Sequence, residues 1–317
     1  MSTEIVVRQQ QQGALQAASW ESLDMVVDMF IASQDVKASS RALYKRTLRQ
    51  YFAWMQSKGY PLNTATRAEL IEYKDALLAD GKSTLTISSY ITSLRKFYEW
   101  TEANLFYPNI AKALHSPKRK QQFRKQALKP EQATQLIEYS EAKSERDNAI
   151  INLLLRTGLR CVEVVRANIE DITYKGGTRV LLVQGKGRDE KDNFVILTDK
   201  AWKPINTYLK SRKGCKPSEP LFVCTSNNNK GGRLTTRAVS DIAKTALRSI
   251  GLDDKAYTAH SLRHTTAVNI LRAGGSIEVA QYTLRHTNPS TTQIYTATFK
   301  EEARLMNSGE SLIDSLY

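Results

Sequence analysis

Cysteine is scarce in this chain of 317 residues: Cys161, Cys215 and Cys224, with no CxxC spacing. An odd trio argues against a disulfide framework or a zinc ribbon and fits a reducing, cytoplasmic setting. No apolar run approaches the ~18 residues of a membrane span, so no membrane partner is expected. The opening MSTEIVVRQQQQGALQ lacks a basic start followed by an apolar stretch, and no secretory signal is read there. Acidic residues are in deficit, 32 against 46 Lys+Arg, for a formal net charge of +14. That surplus favours a polyanionic partner. Hydrophobic residues at 41% supply a core without staples.

The first residues carry a Gln run without apolar periodicity, so 1–19 are read as a flexible tail. Residues 20–115 read as four helices. One lies near Leu23–Ile31. A second runs from Ser39 to Met55, with a stripe of Leu43, Tyr44, Thr47, Leu48, Tyr51, Phe52 and Met55. Its polar face carries Arg41, Lys45, Arg46 and Arg49, a basic strip that can add a local contact to a polyanion. Thr66-Arg67-Ala68-Glu69 is a capping box opening a third helix that Gly81 ends. The fourth runs from about Ser83 to Trp100. Residues 116–126 (SPKRKQQFRKQ) form a basic linker with five cations and no acid. It reads either as a solvated connection or as a strap over phosphates.

The remaining chain, 127–317, holds most of the charge: 116–317 carries 33 basic and 21 acidic side chains, against 13 and 11 before it. Pro130 starts a helix, and another covers 145–156. Residues 179–184 and 193–197 are β-rich and read as a hairpin with a long polar tip. Helices follow near 199–212, 235–250, 260–273 and 276–285.

Three of the four histidines, His260, His264 and His286, fall within 27 residues, and Tyr295 follows nine after His286. His260 and Arg263 share a helix face by their i, i+3 spacing. Imidazole plus guanidinium suits an anionic reacting centre, the first moving a proton and the second holding oxygens. Arg160 follows Thr157-Gly158-Leu159 at the start of a short helix, a favourable place for an anion, where Glu163 can orient it. Lys186 sits between Gly185 and Gly187 on the hairpin tip. Plainer roles stay open on these residues alone: a core histidine, a packed tyrosine, a surface arginine, or a His260/His264 metal pair. The pair lacks the intervening Glu of zinc helices and has Arg263 beside it.

Taken in order and spacing, Thr157–Glu163 (TGLRCVE), Gly185–Gly187 (GKG), His260–His264 (HSLRH), Leu284-Arg285-His286 and Thr292-Gln293-Ile294-Tyr295 resemble the tyrosine recombinases, the phage-integrase family. The helical segment before them resembles that family's core-binding domain, so the likeness covers about residues 20–300. It implies a mainly α fold in two domains: an N-terminal helical, SAM-like core-binding domain, then a mixed α/β catalytic domain with a small β-hairpin or sheet. The two together would clamp duplex DNA.

It also implies roles. Tyr295 matches the nucleophile that forms a 3′-phosphotyrosyl link. Arg160 and Arg263 match the arginines on the non-bridging oxygens, and Lys186 the lysine that protonates the leaving 5′-oxygen. His260 matches the histidine assisting proton transfer, and His286 a position that bonds the phosphate or buttresses the site. Glu163 and His264 match supporting positions. A phenol of pKa ~10 needs such help near neutrality. The cations supply charge that other enzymes take from magnesium, so no cofactor, metal or ATP is expected.

The family further implies recombination sites in double-stranded DNA as partner. It implies a homo-tetramer on DNA that passes through a Holliday junction, a monomer in solution, and accessory proteins in some members. The biological reading is an integrase or excisionase of a mobile element or phage, acting at the nucleoid. The alternatives are an Xer-like dimer resolvase, a supercoil-relaxing enzyme of the same chemistry, and a non-catalytic DNA-binding regulator on the same fold.

Three departures stand out. Arg285 occupies a position where the family usually has Gly, so it is expected either to contact phosphate or to turn to solvent. The segment after Lys186 is about two residues longer than usual. No arm-binding domain is expected ahead of the helical domain, which makes the chain resemble compact, Xer-like members. The partly apolar end, 311–317, matches a segment that docks on a neighbouring protomer in relatives.

Overall fold

The computed structural model describes residues 23–118, 126–185, 188–286, 290–306 and 308–316, without the side chains of 290–294 and 306. The tail at 1–19, most of the basic linker and Lys186 lie outside them. The chain divides into two compact units between Gln121 and Gln122.

The first unit holds α1 (Leu23–Ser33), α2 (Ala38–Ser57), α3 (Arg67–Ala79) and α4 (Thr84–Ala103). The stripe on α2 is buried as its spacing demands, through Thr47, Leu48, Tyr51, Phe52 and Met55. It meets Phe30 of α1 and Ile87, Ile91 and Phe97 of α4 in one core. Phe97 sits edge-on to Phe30 and Phe52, with centroids 5.5 and 5.4 Å away, the arrangement ring quadrupoles favour. The Thr66 cap forms as read: its N–H donates to the Glu69 carboxylate at 2.7 Å, and its hydroxyl accepts from the Ala68 N–H. The basic strip on α2 is partly neutralised within the unit. Lys45 pairs with Asp28 and Arg49 with Asp24, both on α1, which weakens its pull on a polyanion.

The second unit is built on α6 (Glu145–Thr157), whose Ile150, Ile151, Leu153 and Leu154 are fully buried. Around it lie α5 (Pro130–Lys143), α7 (Cys161–Arg166), α8 (Asp199–Ser211), α9 (Thr236–Ser249) and α10 (Ala259–Arg272). Helices α11 (Ile277–Leu284), α12 (Ser290–Met306) and α13 (Gly309–Asp314) follow. The expected hairpin forms as the antiparallel pair β2 (Thr178–Val183) and β3 (Asn193–Ile196), and β1 (Ile172–Lys175) adds a third strand beside β2. β1 escapes a periodicity reading because it spans four residues. Its marker is Gly176-Gly177, both at positive φ, closing the Lys175↔Thr178 pair as a two-residue hairpin loop.

Helix α12, which carries Tyr295, is pinned to α10 by a two-pronged pair. Arg272 Nε and Nη2 donate to the Glu302 carboxylate at 2.8–3.1 Å, while Nη1 donates to the Leu128 carbonyl at 2.8 Å. Among the described residues no helix is long and apolar enough to cross a membrane.

Candidate active site

The platform begins where α6 stops. Gly158 caps it in the left-handed region, φ 61, its N–H bonding the Leu154 carbonyl. Glycine is needed there twice over: an added Cβ would lie 2.4 Å from Leu284 Cδ2. Two residues on, Arg160 is extended and N-caps α7. The Glu163 carboxylate takes its backbone N–H at 2.7 Å and its Nη1 at 3.0 Å. The Arg160 side chain stays 31% exposed while Glu163 is 1% exposed, so the carboxylate holds the guanidinium at the surface from below. Burial pushes the Glu163 carboxyl upward. The charge of Arg285, the Arg160 N–H, and the charges of Arg160 and Arg263 outweigh this and hold it below the ordinary value.

Helix α10 presents His260 exposed in its first turn and Arg263, 1% exposed, one turn later. Both line an open groove of about 530 Å³ with Arg160, Leu159, Lys244 and Thr258. Arg263 joins two chain corners, since Nη1 donates to the Gly158 carbonyl and Nη2 to the Leu284 carbonyl. Its Nε is buried with no acceptor among the described residues. Burial, then the charge of Arg160, pulls the Arg263 guanidinium down to about 10, so it remains a cation at neutral pH.

Tyr295 is 4% exposed and packs against Ala267, Val268, Leu271 and Leu284. Its ring lies 4.8 Å from that of His264 and is stacked at 6.0 Å on His286. Burial raises the phenol above its ordinary pKa. Arg263, by charge and hydrogen bonding, and Arg160, by charge, pull the other way. The hydroxyl is therefore buried yet within the field of both arginines. Burial and the charges of Arg263, Arg160, Arg285 and His260 drive His286 down to about 4, leaving a neutral ring at physiological pH. His264 is 3% exposed, and Thr298 Oγ1 lies 3.4 Å from its Nε2.

The structure thus brings Arg160, His260, Arg263, His286 and Tyr295 into one region. Lys186 lies outside the described residues. Its neighbour Gly185 borders a second cavity of about 210 Å³ with Arg160, Glu163, Arg188, Asp192 and Arg285.

Arg285 corrects one of the two expectations for it. Its side chain is 7% exposed rather than turned to solvent, it borders the second cavity, and its Nη2 donates to the Glu163 Oε2 at 2.9 Å. Its backbone is left-handed, φ 55 and ψ 47, which is why glycine suits the position. Sequence reasoning missed this buried pair; the acid across from it, Glu163, was visible only as a partner for Arg160. No group of three or more His, Cys, Asp or Glu side chains that could hold a metal occurs among the described residues.

Comparison with known proteins identifies the family and the fold. Residues 126–302 match the model of the phage integrase family, and 29–104 match the phage integrase N-terminal SAM-like domain. The chain is 32% identical over 261 residues to tyrosine recombinase XerC of Chromobacterium violaceum, covering 81% of this chain and 83% of the relative. It is 30% identical over 279 residues to tyrosine recombinase XerD of Oceanobacillus iheyensis, covering 84% and 90%. In fold it resembles the XerH site-specific recombinase bound to palindromic difH substrate in a post-cleavage complex: TM-score 0.71, 20% identity, 93% of this chain and 86% of that one. It also resembles the Tn1549 transposon integrase in complex with transposon right-end DNA: TM-score 0.65, 17% identity, covering 90% and 99%. The chain belongs to the phage integrase family and is an enzyme of the tyrosine recombinase type.

Proposed function

We propose that this chain cuts and rejoins duplex DNA at specific sites, with Tyr295 as nucleophile and Arg160, Lys186, His260, Arg263 and His286 as its catalytic partners. The observation that carries the reading is a buried tyrosine packed on His264 and His286 and within the field of two arginines, one of them with an unused buried N–H. Arg160 and Arg263 hold the non-bridging oxygens of the scissile phosphate. The Tyr295 oxygen attacks phosphorus, its proton passing toward His260. A P–O bond to Tyr295 forms while the bond to the 5′-oxygen breaks, and Lys186 protonates that leaving oxygen. His286, neutral, offers a hydrogen bond without adding charge. Rejoining reverses these steps with a new 5′-hydroxyl, so the link conserves the bond energy and needs no ATP.

On DNA the chain assembles as a tetramer from solution monomers and exchanges strands through a Holliday junction. Its service is integration and excision of a mobile element or phage, in the bacterial cytoplasm. The second reading is an Xer-like resolvase of chromosome or plasmid dimers, which the XerC and XerD relatives favour.

The test starts by selecting the target duplex from a randomised pool with the purified chain. A nicked version of that duplex is expected to trap the protein covalently, and Tyr295→Phe to bind it without forming the adduct. Binding without any adduct from the parent chain would mean a regulator rather than an enzyme, and an adduct from Tyr295→Phe would displace the nucleophile. Relaxation of a one-site plasmid without two-site recombination would mean a relaxing enzyme. Sequencing the DNA trapped in cells separates element ends from a chromosomal dimer-resolution site.

A further inference from the structure

We infer that Arg285 is a positioning residue: its buried guanidinium locks the Glu163 carboxylate, and through it sets the direction of Arg160 toward the scissile phosphate. This rests on the DNA-cleaving reading above and adds a residue to it.

Three observations converge on the assignment. The first is the occupancy of Glu163. Its Oε1 accepts Arg160 Nη1 at 3.0 Å, and its Oε2 accepts both the Arg160 N–H at 2.7 Å and Arg285 Nη2 at 2.9 Å. With both oxygens engaged, the carboxylate cannot rotate about its long axis without losing a partner. Removing Arg285 leaves a 1% exposed carboxylate whose remaining hydrogen bonds, among the described residues, come from the residue it is meant to orient.

The second is the backbone. Arg285 keeps a left-handed conformation, φ 55, where a Cβ is sterically unfavourable and glycine is not. Glycine would form the same turn without strain, so what the arginine adds is its side chain. That side chain is fixed at both ends of its guanidinium, Nη1 donating to the Thr283 carbonyl at 2.8 Å.

The third is location. The Leu284 carbonyl accepts Arg263 Nη2, and the His286 ring stacks on Tyr295. The corner 284–286 therefore touches the supports of both arginines and of the tyrosine, and Arg285 is the link to Arg160.

The experiment compares Arg285→Gly, Arg285→Lys, Glu163→Gln and the Gly/Gln double variant with the parent chain on the selected nicked duplex. Both affinity and the rate of adduct formation at saturating protein are measured. Arg285→Gly is expected to form the adduct at least tenfold more slowly with affinity within threefold of the parent. Arg285→Lys, which restores a cation opposite Glu163, is expected to recover to within threefold of the parent rate. The double variant is expected to be no slower than Glu163→Gln alone. If Arg285→Gly does not fold, Arg285→Asn, which tolerates the same backbone, replaces it.

Adduct formation by Arg285→Gly within twofold of the parent overturns the inference. So do losses of rate and affinity in equal measure, Arg285→Lys as slow as the glycine variant, or fully multiplicative losses in the double variant. A parent chain that forms no adduct overturns the DNA-cleaving reading and this inference with it; an active parent beside an equally active glycine variant overturns this inference alone.

Discussion

Gly158→Ala tests how tightly the site is tied to its scaffold. Gly158 has φ 61, and a methyl there would sit 2.4 Å from Leu284 Cδ2, more than 1 Å inside the ~3.5–4.0 Å of a normal carbon contact. The left-handed backbone costs an L-residue about 1–2 kcal/mol. Leu284 is fully buried, so relieving the overlap means overpacking, at about 1–3 kcal/mol. The sum is roughly 2–5 kcal/mol, or about 4–20 °C in Tm at roughly 2–4 °C per kcal/mol for a unit of this size.

Gly214→Ala is the control, with φ 73 and nothing within 4 Å of the added methyl; it is expected to show the backbone cost alone. Amide exchange in α6 and α10 reads the second unit by itself. Because the Gly158 and Leu284 carbonyls are the two acceptors of Arg263, the variant is also expected to form the DNA adduct more slowly. Equal destabilisation by the two alanines, within about 0.5 kcal/mol, would refute the argument that Gly158 is held by the Leu284 contact.

Other expectations follow from the same geometry. The depressed His286 favours its neutral form on folding. The unfolded chain therefore binds more protons between about 4 and the ordinary 6.5, and the contribution of His286 is full above that window and lost as pH falls through it. His286→Gln should flatten the pH dependence of unfolding there, and an unchanged profile would contradict the assignment. Arg272→Ala removes the grip on Glu302 and Leu128. It should lower exchange protection across residues 295–304 by tenfold or more, following a loss of about 1.5–3 kcal/mol; undiminished protection would show that α12 is held by packing alone. Adduct formation should proceed at the same rate in excess EDTA as with added magnesium, and a dependence on the ion would remove the cations from the role given them. Deleting 309–317, where Leu312 and Leu316 are 70% and 78% exposed, should prevent tetramer assembly while sparing monomer binding to DNA. Unchanged tetramers would count against docking of this segment.

Sequence reasoning reached furthest where structure is local. The α2 stripe, the Thr66 cap, Pro130 at the start of α5 and Gly158 at the end of α6 are each written within one or two helical turns, and each is present. The site motifs could be picked out because residue types and order survive in the string. β1 was lost because four residues carry too little periodicity. The helical setting of Tyr295 was not read, and neither was the neutralisation of Lys45 and Arg49 by acids on a different helix.

What the string of residues determined, then, was an inventory: the helices, the excess of positive charge, and the histidines, arginines and tyrosine able to act on a phosphate. Only the tertiary structure decided who faces whom. Arg285 and Glu163 are 122 residues apart, and no local pattern says whether such an arginine meets water, phosphate or a buried carboxylate. Burial made that choice: a guanidinium and a carboxylate removed from water are stable only in each other's company, and long-range packing alone determines which two are removed together.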